Sequence, residues 1–235
     1  MNYVDNLEIK RLKEVYSKRR QKISKHLYSY FNPGNLYIVQ SRDREIINAL
    51  KRSDIAFMED KKILEVGCGT GGNLRKLIEL GAKPENLYGI DILEDRIKVA
   101  KNLAPNINFF CGNAEYLPYE DAYFDIVMQF TVFTSILCDK MKHNIAKEML
   151  RVVKPSGIIL WYDFFVNNPR NLDVKGVKKK EIYMLFQDCY ISFKRITLAP
   201  PLARKVAPLS FILYYVLEKL KIFNTHYLAI IKKKF

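Results

Sequence analysis

Apolar and polar positions change their spacing along the chain, and these changes divide it into three zones. Up to about residue 60 the pattern is helical and basic, with a break at Phe31–Asn35 (FNPGN), where proline and glycine mark a turn. From Lys61 to Phe164, short runs rich in β-branched residues alternate with stretches of helical spacing. That alternation predicts a parallel sheet whose strands are joined by right-handed crossovers.

The third zone follows Phe164. Its pattern predicts a polar loop over Val166–Lys180, a strand around Phe193–Leu198, a helix from about Arg204 to Lys221 and a last strand over His226–Ile231. We therefore expect two units: an N-terminal helical cap, residues 1–60, and one α/β domain, residues 61–235.

Length and composition fit this division. A chain of 235 residues is long enough to bury a full core. Its four cysteines are scattered without a C-x-x-C pair, which argues against a zinc site and a disulfide framework and suits a reducing cytoplasm. This cysteine spacing leads us to expect no metal site. The amino terminus is charged throughout and lacks an apolar signal core, so we expect a cytoplasmic protein.

A glycine-rich loop carries the first candidate chemistry. In Lys61–Asn73 (KKILEVGCGTGGN), glycines stand between a predicted buried strand and a predicted helix. Glycine tolerates positive φ and lets a ligand approach closely, and the helix start offers unpaired N–H groups. Gly67, Gly69 and Gly72 match the dinucleotide pattern G-x-G-x-x-G, with Asp91 at the expected distance. A nicotinamide cofactor is therefore one interpretation.

The same loop also reads E-x-G-x-G-x-G and resembles the first motif of class I S-adenosylmethionine-dependent methyltransferases. Further stretches resemble later motifs of that family in order and spacing: NLYGID (Asn86–Asp91), CGNAEYLP (Cys111–Pro118), FDIVMQF (Phe124–Phe130) and MLRVVKPSGIILWY (Met149–Tyr162). The resemblance covers roughly Lys61–Asp163 and is closest to small-molecule and glycan methyltransferases of the domain 11 type. It implies a Rossmann-like, mostly parallel seven-stranded sheet with an antiparallel last strand and helices on both faces.

The resemblance also implies S-adenosylmethionine as cofactor, with S-adenosylhomocysteine as product. A carboxylate at the end of the second strand can accept both ribose hydroxyls, which is the role expected of Asp91. Asn113 and Ala114 fall where the family contacts adenine, although many relatives carry Asp at the first of these positions. The full set of expected cofactor contacts is Glu65, Gly67, Cys68, Gly69, Gly71, Asn73, Asp91, Ile92, Asn113, Ala114, Gln129 and Phe130.

Topology supplies the candidates for the acceptor side. Ligands of open parallel sheets bind beyond the carboxyl ends of the strands. This rule brings Asp163, Asn167 and Arg170 after the fifth strand, and Arg204 after the sixth, to one crevice. The reversed last strand begins at the same edge and adds His226, for which an edge histidine without a chemical role is the equal alternative. Asp163 and His226 are the candidate general bases, and the other three are candidate acceptor ligands.

Function follows from the resemblance and the charge. The net charge of +14 implies an anionic partner or surface. We expect methyl transfer from S-adenosylmethionine to a hydroxyl of a small-molecule or glycan acceptor, for which a phosphorylated or lipid-linked form is one option. RNA methylation is the main alternative, although the lysines are spread over both ends of the chain rather than set in an RNA-binding module. A non-catalytic S-adenosylmethionine-binding protein and a nicotinamide oxidoreductase are further alternatives, and the latter lacks a second domain.

The carboxyl-terminal zone raises a second class of partner. Apolar residues recur at helical spacing over Pro208–Leu220, with lysines at its ends. A core helix that covers the sheet is the simpler interpretation. The alternative is an interfacial surface attracted to anionic lipid, which would make the protein peripheral to a membrane. No apolar stretch is long enough to cross a bilayer, and the pattern leaves the oligomeric state open.

Overall fold

Helices and strands alternate through most of the chain. The computed structural model describes residues 3–22, 24–169 and 171–234. The helices are α1 (Tyr3–Lys22), α2 (Pro33–Lys51), α3 (Gly72–Glu79), α4 (Glu94–Leu103), α5 (Asp139–Val152), α6 (Lys179–Leu185), α7 (Pro200–Val206) and α8 (Phe211–Leu220). The strands are β1 (Ile63–Val66), β2 (Leu87–Asp91), β3 (Asn108–Cys111), β4 (Phe124–Phe130), β5 (Val153–Phe164), β6 (Cys189–Leu198) and β7 (Asn224–Lys233).

The strands form one sheet in the order β3-β2-β1-β4-β5-β7-β6. The first five strands along the chain pair in parallel, whereas β7 runs antiparallel between β5 and β6. This arrangement confirms the predicted fold. The strand order reverses between β1 and β4, and the crevice beyond such a switch point is where doubly wound sheets bind ligands.

The core lies on both faces of the sheet. One face packs under α2, α3 and α4 through residues such as Ile46, Leu74 and Ile97. The other packs under α5 and α6, where Trp161 and Ile182 are fully buried. Burying such side chains stabilises the fold by about 1.5 to 3 kcal/mol each. The packed core on both faces therefore holds the strands and their carboxyl ends in fixed positions.

The predicted break at FNPGN is confirmed. Asn32 caps α2, because its side-chain oxygen accepts from Gly34 N at 3.1 Å, and Pro33 occupies the first turn. Two helices therefore precede β1. The division of the chain into a cap and a catalytic domain near residue 60 stays a prediction.

The carboxyl-terminal helix was predicted wrongly in extent. The structure has two helices, α7 and α8, where the pattern predicts one, and the break falls around Pro208. Proline lacks the N–H that a continuous helix needs, and Ser210 starts α8 anew by accepting from Leu213 N at 3.2 Å. Among the described residues, no helix combines the length and apolar character needed to cross a bilayer.

Candidate cofactor and acceptor site

The glycine loop after β1 adopts a backbone that other residues would strain. Gly67, Gly69 and Gly71 have φ of +70°, +54° and +74°. The loop is tied to β2 because Gly67 N donates to the carbonyl of Ile90 at 2.8 Å. A Cβ at position 67 would lie 2.3 Å from Val132 Cγ2. Glycine is thus required at position 67 both for its φ and for the space it leaves.

Asp91, at the end of β2, holds the glycine loop and lines the cavity beside it. One carboxylate oxygen accepts from Gly69 N at 2.8 Å, and the other accepts from Leu93 N at 2.9 Å. Each oxygen keeps a lone pair, so Asp91 can still accept ribose hydroxyls. Burial raises the pKa of Asp91 above its ordinary value.

A hydrogen-bonded chain runs beneath the loop. Asn73 donates to Glu65 Oε1 at 2.6 Å and accepts from Arg42 at 3.1 Å. The guanidinium of Arg42 lies over the rings of Phe130 and Tyr162, at 5.4 and 5.8 Å from their centres. Glu65 Oε2 is buried with no hydrogen-bond partner among the described residues, and burial raises the pKa of Glu65 to about 8. The site therefore contains a buried carboxyl oxygen that has no hydrogen-bond partner among the described residues.

The end of β3 presents Asn113 and Ala114 to the same cavity. The side chain of Asn113 is fixed by Glu115, whose backbone N–H donates to Asn113 Oδ1 at 3.0 Å and whose carboxylate accepts from Asn113 Nδ2 at 2.9 Å. Asn144 donates to the other oxygen of Glu115 at 2.7 Å. Asn113 Oδ1 retains one lone pair, which could accept from an exocyclic amine of a base.

The turn after β4 closes the loop from the other side. Thr131 has a φ of +58°, which is strained for a β-branched residue, and its N–H donates to the carbonyl of Tyr162 at 2.8 Å. Gln129 Oε1 accepts from Val132 N at 3.1 Å, while Gln129 Nε2 is buried and has no partner among the described residues. This turn presses Val132 against Gly67.

Not every expected cofactor contact faces the cavity with its side chain. Gly67, Asp91, Ile92, Asn113, Ala114 and Phe130 line it. Cys68 is buried in the core under α3, and burial raises the pKa of its thiol. Glu65, Gly69, Gly71, Asn73 and Gln129 do not line the cavity either. Glu65 and Gln129 are buried, and Asn73 lines a neighbouring cavity together with Arg42.

The cavity has a volume of about 1020 Å³, at the upper end of the range for small-molecule sites, which leaves room for a cofactor and an acceptor together. Its walls come from the strand ends, α1, the loop after β5 and α7. Among the described residues that line it, Arg19, Arg96 and Arg204 are basic and Asp91 is the one acid. The cavity therefore favours an anionic ligand.

The three residues predicted to bind the acceptor differ in their position relative to the cavity. Arg204, in α7, lines the cavity, and its Nε is buried without a hydrogen-bond partner among the described residues. Asn167 lines the exposed rim, where its Oδ1 accepts from Gly176 N at 2.9 Å. Arg170 lies outside the described residues.

Neither candidate base lines the cavity. Asp163 is buried behind Thr134, which donates to it from Oγ1 at 2.6 Å and from its backbone N–H at 3.2 Å, and Phe164 N donates at 2.9 Å. Burial raises the pKa of Asp163 to about 7. These bonds fix the turn that carries Thr134, itself a lining residue.

His226 does not line the cavity, although the preceding residue, Thr225, does. Thr225 Oγ1 lies 3.1 Å from His226 Nδ1. The ring of His226 is buried between Tyr162, on which it stacks at 4.6 Å, and Phe164 at 3.8 Å. Burial, helped by the charge of Arg42, lowers the pKa of His226 to about 3.

Arg96 and Tyr16 are among the cavity-lining residues that sequence reasoning missed. Arg96 lines the cavity with its guanidinium 4.6 Å from the ring centre of Tyr16, which lines it too. Arg96 lies in the first turn of the helix after Asp91, and that position is a usable signal. Tyr16 has no such signal, because α1 reaches the site only through the tertiary fold.

The fold and the loop geometry together define a class. A doubly wound sheet with this strand order, a glycine loop after β1 and an acid at the end of β2 is the framework of class I methyltransferases. Residues 63–157 match the family model described as methyltransferase domain. This match and the similarity to proteins named as methyltransferases confirm, for this part of the chain, the resemblance and the S-adenosylmethionine cofactor that it implies.

Individual relatives match over part of their length. The chain is 29% identical over 136 residues to a phthiotriol/phenolphthiotriol dimycocerosates methyltransferase of Mycobacterium ulcerans, covering 57% of this chain and 49% of that protein. It is 27% identical over 156 residues to a demethylmenaquinone methyltransferase of Lactococcus lactis, covering 64% of this chain and 60% of that protein. The chain thus spans about half the length of the curated relatives it matches.

Among solved structures, a putative sarcosine dimethylglycine methyltransferase from Galdieria sulphuraria superposes with a TM-score of 0.61 at 16% identity, covering 94% of this chain and 98% of that one. At this identity the likeness concerns the fold alone.

Proposed function

We propose that the protein transfers a methyl group from S-adenosylmethionine to a hydroxyl of a small-molecule or glycan acceptor that is phosphorylated or lipid-linked. The observation that carries the proposal is the cavity itself, which adjoins the glycine loop and whose described lining residues include three arginines and one acid. The names of two relatives supply further support, because one refers to a phthiotriol dimycocerosate and the other to demethylmenaquinone.

The cofactor half fits the residues present. When bound, S-adenosylmethionine supplies a methyl group on a positively charged sulfur. We assign Asp91 to the ribose hydroxyls and Asn113 with Ala114 to the base. The orphaned Oε2 of Glu65 suits the amino group of the cofactor, directly or through a water. Gly67, which lines the cavity, is assigned to the methionine part.

On the acceptor side, Arg204 is the anchor for a phosphate or carboxylate. A buried guanidinium nitrogen without a partner is costly, and an anionic group on the acceptor would satisfy it through charge-assisted hydrogen bonds. Asn167 lies at the rim, where its amide can meet a polar part of the acceptor. Positioning of this kind supplies much of the rate in a displacement whose leaving group is already activated.

The assignment of Asp163 and His226 as general bases stays a prediction, and the geometry does not favour it. Both side chains are buried outside the cavity lining. Asp163 is better suited to fix Thr134, and His226 to fill the aromatic layer under α2. On this view, the acceptor proton leaves to solvent or to the acceptor's own substituent, and the protein works by proximity.

We also assign the N-terminal segment the role of a cap. Glu8 accepts from Leu137 N at 2.6 Å, and Arg11 donates to the carbonyl of Ser135 at 2.6 Å, so α1 is anchored beside the cavity. Tyr16 adds a hydrogen bond to Ser135 Oγ at 2.9 Å. A helix held in this position excludes water from the reacting groups.

The test is to incubate the full chain with methyl-labelled S-adenosylmethionine and a cell extract, and then to separate RNA, lipid, polysaccharide and small solutes. We expect label in the lipid, polysaccharide or small-solute fraction. The Asp91→Ala variant serves as the control for cofactor-dependent label. Label confined to RNA would contradict the proposed acceptor class, and absence of label from every fraction would contradict catalysis.

A further inference from the structure

The carboxyl-terminal helix α8 carries an apolar surface that the proposed reaction leaves unused. Within it only Tyr214 and Glu218 are buried. Most other large apolar side chains of residues 209–223 are exposed, led by Leu209 at 80% and Ile212 at 73%. The remaining exposed members are Phe211, Leu213, Tyr215, Val216, Leu220, Ile222 and Phe223. Contiguous apolar surface of this extent marks an interaction site.

The exposure results from how α8 is anchored. Tyr214 packs against Tyr37 of α2, with ring centres 5.3 Å apart, and joins a small cluster with Ala203 and Val206 of α7. Glu218 accepts a hydrogen bond from Ser41 of α2. These contacts use one narrow stripe of the helix. The face defined by residues 209–223, hereafter the α8 face, therefore points away from the core.

The charge around the α8 face has one sign. Glu218 is the only acidic residue in the sequence between positions 199 and 223, and it is buried. Lys205, Lys219 and Lys221 are exposed. An apolar helix face bordered by lysines complements the interface of an anionic bilayer, where the lysines reach lipid headgroups and the apolar side chains enter the acyl boundary.

The same charge argues against a second copy of the chain as the occupant. In a twofold dimer, the same surface of both copies forms the contact. Lys205, Lys219 and Lys221 of one copy would then lie near the same lysines of the other copy, with no exposed acid of this segment to neutralise them. A lipid headgroup layer supplies that negative charge.

The α8 face lies next to the mouth of the cavity. Ala199 and Pro200 line the cavity, and Ala199 N donates to the carbonyl of Phe223 at 2.9 Å. Tyr28 also lines the cavity and is exposed, and the nearby Phe31 is 91% exposed. Gly34 brings this turn against Arg204, since a Cβ there would lie 2.6 Å from Arg204 Cα.

We propose that the protein docks on anionic membranes through the α8 face, with Phe31 as a second apolar contact, so that the cavity mouth opens toward the lipid surface. The purpose of docking, delivery of a lipid-linked acceptor, rests on the proposed function. The docking itself depends only on the surface.

The experiment measures binding of the full chain to sedimenting vesicles, one set of phosphatidylcholine and one of equal parts phosphatidylcholine and phosphatidylglycerol. We expect binding to the second set and weak binding to the first. The double variant Leu209→Ser/Ile212→Ser should lower the partition coefficient about tenfold or more. Lys205→Gln/Lys219→Gln should lower it roughly fivefold for each lysine, and added salt should do the same.

The matched control is Phe57→Ser/Tyr190→Ser, which removes two side chains that are 84% and 67% exposed and lie outside both the α8 face and the cavity lining. It should bind vesicles like the unaltered chain. Equal loss in the control, absence of binding to anionic vesicles, or a dimer in sedimentation analysis that Leu209→Ser/Ile212→Ser dissociates would overturn the proposal. Since vesicle binding is read without turnover, failure of docking leaves the proposed methyl transfer standing.

Discussion

Asn73, in the first turn of α3, donates a 2.6 Å hydrogen bond to the buried carboxylate of Glu65 at the end of β1. The bond satisfies one oxygen of Glu65 and leaves the other without a partner among the described residues. Burial raises the pKa of Glu65 to about 8, so the group is mostly protonated at neutral pH in the absence of a nearby cation.

Cofactor binding should therefore release a proton. An ammonium group placed beside Glu65 favours the carboxylate, so we expect release approaching one proton per cofactor bound at about pH 7. Calorimetry in two buffers with different ionisation enthalpies measures it. Glu65→Gln should abolish the buffer dependence, and identical heats in both buffers for the unaltered chain would show that the amino group binds elsewhere.

Arg42 should support cofactor binding from a distance. Removing it by Arg42→Ala takes away the donor to Asn73 and the positive charge near Glu65. We expect cofactor affinity to fall by about 1 kcal/mol, the scale of one hydrogen bond. Arg44→Ala is the control on the same helix, because Arg44 pairs with Glu218 instead. Equal losses in both variants would point to a general effect on α2.

Asp91→Ala should weaken cofactor binding by about 1.5 to 3 kcal/mol, the scale of hydrogen bonds to a charged group. The variant also loses the bond to Gly69 N, so the glycine loop should exchange its amide hydrogens faster in the free protein. Titration calorimetry and hydrogen exchange separate the two effects. Unchanged affinity would move the ribose contact to another residue.

Stability should depend on pH through Asp163. Its folded pKa of about 7 lies above the ordinary value of 3.8, so the folded state binds the proton more tightly than the unfolded state. The free energy of unfolding should therefore fall as pH rises from about 4 to 7, by roughly 1 to 4 kcal/mol in total from this group. Asp163→Asn mimics the protonated form and should flatten that part of the profile.

Denaturant unfolding of the unaltered chain and of Asp163→Asn at several pH values measures this dependence of the free energy of unfolding. The lowered pKa of His226 acts in the opposite sense, because stability from that group is lost as pH falls from 6.5 toward about 3. The difference between the unaltered chain and the variant isolates Asp163. Parallel profiles for both proteins would show that its carboxylate is ionised throughout.

The sequence predicts this site unevenly, for physical reasons. Strand ends marked by Glu65, Asp91 and Asn113 could be located because a parallel sheet brings its carboxyl ends to one edge. The edge rule does not give the direction of a side chain, so it could not show that His226 is packed between Tyr162 and Phe164 instead of lining the cavity. The hydrogen bond between Arg42 and Asn73 joins segments that are distant in the sequence, so no local sequence pattern predicts it. The exposure of α8 could not be predicted either, because it depends on the tertiary contacts with α2 and α7, which bury only Tyr214 and Glu218 of this helix.

The last prediction concerns the acceptor. Arg204 lines the cavity with a buried, unpartnered Nε, which makes it the group best suited to hold an anionic acceptor. Once an acceptor is known, Arg204→Ala should raise its KM about tenfold or more while cofactor affinity holds, because a charge-assisted hydrogen bond contributes about 1.5 to 3 kcal/mol. Arg204→Lys should recover part of the loss, since it restores the charge without the planar fork. A KM unchanged by Arg204→Ala, or a loss confined to cofactor affinity, would place the anionic group of the acceptor away from α7.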